Sequence, residues 1–323
     1  MAENYTTIAI FLDIEAAFDS VPHKNLIKKI AKLKLPKTMV KFLHMLTANR
    51  KIYIQEKGQL IGPRVTEKGV PQGSVLSQLL FALYLNDLYS NLSVHARINM
   101  YADDIALTVT KDNILEAALV AQRAVDDIIE GLESIGFSTS PSKSKAMIFT
   151  RQRTLPTSGV DIKIYNELIP RVTENRFLGL IIDHKLSWKK HIDYVEKKVE
   201  RRLNLVRTLC GVWWGGHPAS FLNLYMTLVR SQIDYASFIY QAEYRSNFIR
   251  IERLQNRALR ICLGAVRSSP LSSLRVEANE PFLEERRNLL ADRYYLRILS
   301  RRGHVNLDKI ERLARLVHDS NYW

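Results

Sequence analysis

The sequence predicts an α+β region over residues 1–184 followed by an all-helical region over residues 185–323. Three observations predict it. Short apolar runs of strand character alternate with amphipathic helices as far as Asp183. From Trp188 onward apolar residues recur only at three- and four-residue spacing. Charge divides at the same place: residues 1–184 carry 22 Lys+Arg against 19 Asp+Glu, and residues 185–323 carry 25 against 14.

In chain order, Thr7–Ile14 reads as a buried strand. Pro22 and His23 open a Lys-rich amphipathic helix, which Pro36 separates from a second helix reaching Leu46. Ile52–Ile54 and Gln59–Val65 predict a hairpin turning at Lys57-Gly58. A helical pattern runs from Val75 to about Tyr89, and the strands Arg97–Tyr101 and Ile105–Val109 pivot on Asp103-Asp104. A helix over Ile114–Ile135 follows, then strands near Ala146–Thr150, Val160–Tyr165 and Phe177–Ile182. The second region predicts helices over Trp188–Cys210, Ala219–Tyr240, Phe248–Leu263 and Leu283–Ser300, with 151–159 and Ser268–Ser273 as linkers.

At 323 residues and 46% hydrophobic, the chain is long enough for a sizeable core. Its net charge of +14 suits a polyanion, although solubility alone explains a charge excess equally well. Cys210 and Cys262 are the only cysteines, which argues against a disulfide framework or structural zinc and for a reducing, intracellular compartment. The N-terminus lacks the order of a signal peptide. The longest apolar stretch, around Leu76–Leu85, is interrupted by Ser77 and Gln78 and is too short for a bilayer, so a soluble protein with no membrane partner is expected.

Asp13 ends one predicted strand, and Asp103-Asp104 occupy the tip of a predicted hairpin. Two divalent ions roughly 3.5–4 Å apart stabilise both the entering and the leaving oxygen of a nucleotidyl transfer, and magnesium takes carboxylate and carbonyl oxygens. Three such carboxylates meeting across a sheet suit that chemistry. For an isolated Asp-Asp pair, a solvated turn is the simpler explanation.

Three segments together resolve this choice: Phe11-Leu12-Asp13-Ile14-Glu15-Ala16-Ala17-Phe18-Asp19, then Gly69-Val70-Pro71-Gln72-Gly73-Ser74-Val75-Leu76-Ser77, then Tyr101-Ala102-Asp103-Asp104. Their order and spacing resemble the palm motifs of reverse transcriptases. Phe177-Leu178-Gly179-Leu180-Ile181-Ile182-Asp183, with Leu186-Ser187-Trp188-Lys189 and His191-Ile192, resembles the segment after the palm in non-LTR retrotransposon polymerases, and Leu254–Arg260 resembles the helical region that follows in insect-type elements.

The resemblance implies a polymerase palm, an antiparallel sheet with packed helices, over residues 1–184, and a helical thumb and post-thumb region over 185–323. It implies an RNA-directed DNA polymerase that extends a DNA primer on an RNA template from deoxynucleoside triphosphates, in the nucleus and cytoplasm. Its cofactor would be two Mg2+ ions, or Mn2+, on Asp13, Asp103 and Asp104. The Ile14 carbonyl would help hold the nucleotide-bound ion, and Phe18 would stack under the incoming sugar and exclude a 2′-hydroxyl. Gln72 and Gly73 would touch the nascent base pair, and Lys143 would stand near the departing pyrophosphate. Lys189, Lys190, Lys197, Lys198, Arg201 and Arg202, at helical spacing, would grip the nucleic-acid backbone.

Plainer explanations exist for several of these residues: a core aromatic for Phe18, a simple turn at Gln72-Gly73, a solvated helix face for the basic set. Trp213-Trp214 reads as a base-stacking platform or, more simply, a core plug. His184, His191 and His217 lack metal-ligand spacing. The family's usual asparagine before Pro141 is Ser140, and Gln78 stands where proline is usual.

The matching residues begin almost at Asp13, so the family's upstream fingers are expected to be missing, with no endonuclease segment before and no ribonuclease H segment after. A catalytically inactive, nucleic-acid-binding fragment is the competing expectation. A viral RNA-templated RNA polymerase fits less well, because Ala102 replaces the usual glycine and Phe18 disfavours ribose.

Overall fold

The apolar run at the start of the chain forms β1 (Thr6–Asp13), and strands join it on both sides. In the computed structural model, which describes residues 5–48, 50–91, 96–150, 160–210, 216–240, 245–301, 303–304 and 306–311, the chain divides into two compact units, Met1–Leu186 and Ser187–Trp323. Trp213-Trp214 and the linker 151–159 lie outside the described residues.

The first unit is built on a four-stranded antiparallel sheet in the order β4 (Arg97–Tyr101), β5 (Asp104–Lys111), β1, β6 (Lys145–Phe149). Side chains alternate across a strand, so Ile8, Ile10 and Leu12 of β1 and Ile105, Leu107 and Val109 of β5 enter one core. Helix α5 (Ile114–Ser134) covers that face with Ala117, Ala121 and Ala124, all fully buried, whose small side chains let it lie close. Helices α2 (His23–Lys32) and α4 (Val75–Leu85) complete this core with Leu26, Ile30, Leu80, Phe81 and Tyr84.

The opposite face carries Ala9, Phe11 and Asp13. Beside Ala9 it carries Met147 and Phe149 of β6, against which Val172 and Ile182 pack, and Phe177 packs on Phe11 at 5.3 Å between ring centroids. Short helix α1 (Ala17–Ser20) follows β1, α3 (Lys37–Thr47) follows α2, and β2 (Arg50–Glu56) with β3 (Gln59–Thr66) forms the expected hairpin, turning at Lys57 and Gly58, both at positive φ.

Three expectations are corrected in this unit. Phe177–Ile182 is not one strand but the turn of a hairpin, β9 (Glu174–Phe177) with β10 (Leu180–Asp183), because Leu178 and Gly179 both take positive φ. Val160–Tyr165 yields only β7 (Lys163–Ile164), which turns through Tyr165 and Asn166, again at positive φ, into β8 (Glu167–Leu168). The helix from Val75 changes at Asn86 to a 3₁₀ turn that ends at Asn91.

In the second unit α6 (Lys189–Leu209) buries Ile192, Val195, Val199, Leu203 and Val206 in a single stripe and packs on α9 (Arg245–Leu263). Arg250 pairs with Asp193 at 2.7 Å and with Glu196, and Arg257 reaches Glu200 at 3.5 Å. The expected single helix over Ala219–Tyr240 is instead α7 (Pro218–Leu224), a π-helical turn over Tyr225–Arg230, α8 (Ser231–Asp234) and turns to Tyr240. Glu280, only 5% exposed, anchors the irregular segment by accepting from Arg230 and from the Tyr225 hydroxyl. The expected linker Ser268–Ser273 instead holds the start of α10 (Leu271–Ala278), whose first turn follows Pro270. The last helix, α11, spans Leu283–Leu299.

Candidate active site

Asp13 is the last residue of β1 and is the register partner of Asp104, the first residue of β5. Its own N–H donates to Ser144 Oγ and its C=O accepts from the Ser140 N–H at 2.9 Å, both on the β6 side. Asp13 and Asp104 therefore form a non-hydrogen-bonded cross-strand pair, the kind in which Cα atoms approach to about 4.5 Å and side chains share one face.

That face is the one turned away from the helices. It is covered at Phe11 and left open at Asp13, whose side chain is 44% exposed. Asp103 sits in the two-residue turn between β4 and β5 beside Ala102, which takes φ 54°, a conformation unusual for a residue with a Cβ.

Ile14 continues the strand in a bridge to Thr139 that uses the Glu15 N–H and the Asp13 C=O. Successive carbonyls of an extended strand point to opposite edges. The Ile14 carbonyl is therefore directed away from β6, toward the edge where β5 and its turn bring Asp104 and Asp103.

Partial desolvation raises the Asp104 carboxyl above its ordinary value, and the charges of Asp103 and then Asp13 push it the same way. The three carboxylates are gathered but not closed: among the described residues no group of three or more His, Cys, Asp or Glu side chains is drawn together tightly enough to hold an ion. As a donor set they suit a hard divalent cation, being carboxylate oxygens with a nearby carbonyl, whose mutual repulsion a cation would relieve. Lys143 lies at the same end, its ammonium 3.8 Å from Asp13 Oδ2.

A second cluster follows directly from α1. Gly69 donates its N–H to Val21 C=O and Val70 donates to Phe18 C=O, while the Gly69 carbonyl is held by His23 Nε2 at 2.7 Å and Arg50 Nη2 at 3.0 Å. Gly69 takes φ 90°, and a Cβ there would meet Asp19 Cα and C=O oxygen at 3.0 Å, so glycine is required by both conformation and space. This docking brings Gln72 over α1, where its amide donates to both Asp19 oxygens at 3.1 Å.

Phe18, Gln72, Gly73, Ser74, Val75, Ser77 and Gln78 line a cleft of about 560 Å³. Phe18 is half-buried, stacked on Phe81 at 4.5 Å, and also contributes to the cleft wall, so it serves core and cleft together. Gly73 takes φ 85° with open space where a Cβ would lie. The structure thus brings Phe18, Gln72 and Gly73 together, and separately Asp13, Asp103, Asp104 and Lys143. Sequence reasoning missed Asp19, Gly69, His23, Arg50, Ser140 and Ser144 as the groups that position them. Asp19 stands inside the motif that contains Asp13, but nothing in a sequence says that Gln72 will reach it.

In the second unit, Lys190, Lys197 and Arg201 lie on α6 opposite its buried stripe, with Lys189 beside them; Lys198 and Arg202 are half-buried on the flank. The acidic flank of the same helix is engaged by Arg250 and Arg257 of α9. His191 is buried against Tyr240. No helix among the described residues is long and apolar enough to cross a membrane.

Residues 1–182 match the family model described as reverse transcriptase (RNA-dependent DNA polymerase). The probable RNA-directed DNA polymerase from transposon BS of Drosophila melanogaster is 28% identical over 258 residues, covering 78% of this chain and 28% of that protein. The RNA-directed DNA polymerase from mobile element jockey of Drosophila funebris is 26% identical over 295 residues, covering 89% and 32%. The chain thus spans about a third or less of the length of these relatives. Among solved structures, telomerase from Candida albicans in complex with a TWJ fragment of telomeric RNA aligns with a TM-score of 0.43 and 12% identity over 85% of this chain and 51% of that one. With more than half of its length matched by the family model, the chain belongs to the reverse transcriptase (RNA-dependent DNA polymerase) family, in the non-LTR retrotransposon branch.

Proposed function

We propose that this chain is an RNA-directed DNA polymerase core that extends a DNA primer on an RNA template, using deoxynucleoside triphosphates and Mg2+, or Mn2+ in its place. The observation that carries this is the pairing of Asp13 with Asp104 at the open end of the sheet, with Asp103 in the adjoining turn.

Asp13 and Asp103, with Asp104 alongside and the Ile14 carbonyl facing the same edge, would hold two divalent ions, which when bound stabilise charge on the attacking and departing oxygens. Phe18 presents a ring, backed by Phe81, as a floor under the sugar of the incoming nucleotide; a rigid ring there leaves no room for a 2′-hydroxyl. Gln72, held by Asp19, presents its remaining amide oxygen toward the base pair being formed, and Gly73 leaves backbone accessible beside it. Lys143 supplies positive charge, and a proton where one is needed, near the departing pyrophosphate.

Lys189, Lys190, Lys197, Lys198, Arg201 and Arg202 of α6 grip the phosphate backbone without reading sequence. We place this chemistry in the nucleus and cytoplasm, where an RNA template and nicked DNA are both at hand.

Primer extension tests the proposal. Purified chain, an RNA template with an annealed DNA primer, Mg2+ and deoxynucleotides should yield full-length copies; chelation should stop synthesis, and ribonucleotides should extend poorly. Absence of any extension, or equal use of ribonucleotides, would count against it.

A further inference from the structure

The total charge of residues 1–184, 22 basic against 19 acidic, conceals a segregation. From Ser20 to Gln55 there are nine Lys and Arg and no Asp or Glu, leaving 13 basic against 19 acidic in the rest of that region. Two of the nine have internal tasks: Lys29 donates to the Tyr84 carbonyl and pairs with Asp87 at 2.9 Å, and Arg50 holds the Gly69 carbonyl. Lys24, Lys28, Lys32, Lys34, Lys37 and Lys41 are all exposed, and no ion pair among the described residues involves any of them.

Their placement is ordered. Leu26 and Ile30 of α2 are at 0% and 1% exposure in the core, and Lys24, Lys28 and Lys32, four residues apart, run along the opposite side. At 1.5 Å rise per residue these three ammonium-bearing positions form a line about 12 Å long. Lys34 and Lys37 flank Pro36 at the bend between the helices, and Lys41 lies one turn beyond Lys37 on α3.

We infer that this α2–α3 lysine ridge of the first unit is a second nucleic-acid-binding surface, which contacts the phosphate backbone through residues other than the basic set of α6. A row of flexible point charges without paired carboxylates suits evenly charged phosphates and reads no sequence. A membrane surface fits α2 less well, because a helix lying in lipid must bury its apolar stripe there and the stripe of α2 is already inside the protein; α3 leaves Met39, Phe42 and Met45 exposed, and the vesicle measurement below separates the two surfaces. The inference goes beyond the polymerase proposal and does not depend on it, since binding is measured without metal or nucleotide.

The test is the salt dependence of binding to a labelled RNA–DNA hybrid, followed by fluorescence anisotropy, for the whole chain and for the variants Lys24→Gln/Lys28→Gln/Lys32→Gln and Lys34→Gln/Lys37→Gln/Lys41→Gln. Each neutralised phosphate contributes about 0.7–0.9 to the slope of log affinity against log salt. Each triple variant should therefore lower the slope by about 2 units or more, with unchanged circular dichroism and melting. Slopes equal to that of the parent chain would overturn the inference. So would binding to phosphatidylserine vesicles that the variants lose while hybrid binding stays intact, which would assign the ridge to a membrane. Loss of slope in a chain that fails to extend primers would sink only the polymerase proposal, and extension with no change in slope would sink only this one.

Discussion

Asp13 and Asp104 face one another across β1 and β5 as a non-hydrogen-bonded pair, on the sheet face turned away from the helices. Like charges so placed oppose each other, and the Asp104 carboxyl is raised by desolvation and by Asp103 and Asp13. A divalent cation converts that repulsion into binding energy. Adding Mg2+ should raise the unfolding midpoint of the strand-containing unit, by roughly 2–4 °C per kcal/mol of binding. Asp13→Asn and Asp104→Asn should each diminish the rise, which differential scanning fluorimetry reads; a rise that survives both changes would place the ion elsewhere.

Asp19 fixes the Gln72 amide through two contacts of 3.1 Å from its nitrogen, which leaves the amide oxygen without a part in that contact on a residue that lines the cleft. Hydrogen bonds to a charged group contribute about 1.5–3 kcal/mol. Asp19→Ala is expected to raise KM for deoxynucleotides by roughly 10-fold or more, with a smaller change in kcat. A double-mutant cycle with Gln72→Ala checks the coupling: effects that simply add would show that the two side chains act independently.

Phe81 is fully buried and supports Phe18 from below. Phe81→Ala should cost about 3–5 kcal/mol in urea unfolding of the first unit. Gly69→Ala, which forces a Cβ against Asp19 in a left-handed conformation, should cost about 1–3 kcal/mol and displace the Gln72 segment. A Gly69→Ala protein as stable as the parent would show that the segment is held less tightly than its hydrogen bonds suggest.

Burial, and then the neighbouring Cys210, push the Cys262 thiol from its ordinary 9.0 up to about 12. The unfolded chain loses that proton near pH 9 and the folded chain keeps it, so stability conferred by the neutral thiol is intact below pH 9 and falls as the pH rises from there toward 12. The decline from this group is at most about 1.4 kcal/mol per pH unit. Cys262→Ala should flatten the alkaline limb of a stability-against-pH curve; an unchanged limb would assign it to other groups.

Much of the first unit was legible because its signals are local. Short apolar runs marked β1 and β5, the Lys57-Gly58 turn marked the β2–β3 hairpin, and the periodic apolar face marked α5. The β9–β10 hairpin was not legible, since its turn places Leu178, a residue with no turn preference, at φ 47° beside Gly179. Helical periodicity through Ala219–Tyr240 was genuine as far as Asp234, with a π-helical turn over Tyr225–Arg230 where Tyr225 and Arg230 both reach the buried Glu280 of a distant segment; the helix stops at Tyr235 and Ala236, the latter at φ 54°. The same limit applies at the candidate site. Asp13, Asp103, Asp104, Phe18 and Gln72 were nameable from motifs, while the Asp19–Gln72 contact and the Gly69 docking depend on residues some fifty positions apart along the chain. The Lys-rich, amphipathic character of α2 was legible as well, while the exposure of Lys24, Lys28, Lys32, Lys34, Lys37 and Lys41 without ion pairs among the described residues depends on the fold.

The most direct test compares the chain with Asp103→Asn in primer extension on an RNA template with Mg2+ and deoxynucleotides, alongside hybrid binding measured by anisotropy. We expect extension by the parent, none by the variant, and equal binding by both, because Asp103 lies in the turn of β4 and β5 and supports no core contact. Extension by both proteins, or by neither while both bind the hybrid, would contradict the assignment of the Asp13, Asp103 and Asp104 carboxylates as the centre of nucleotidyl transfer.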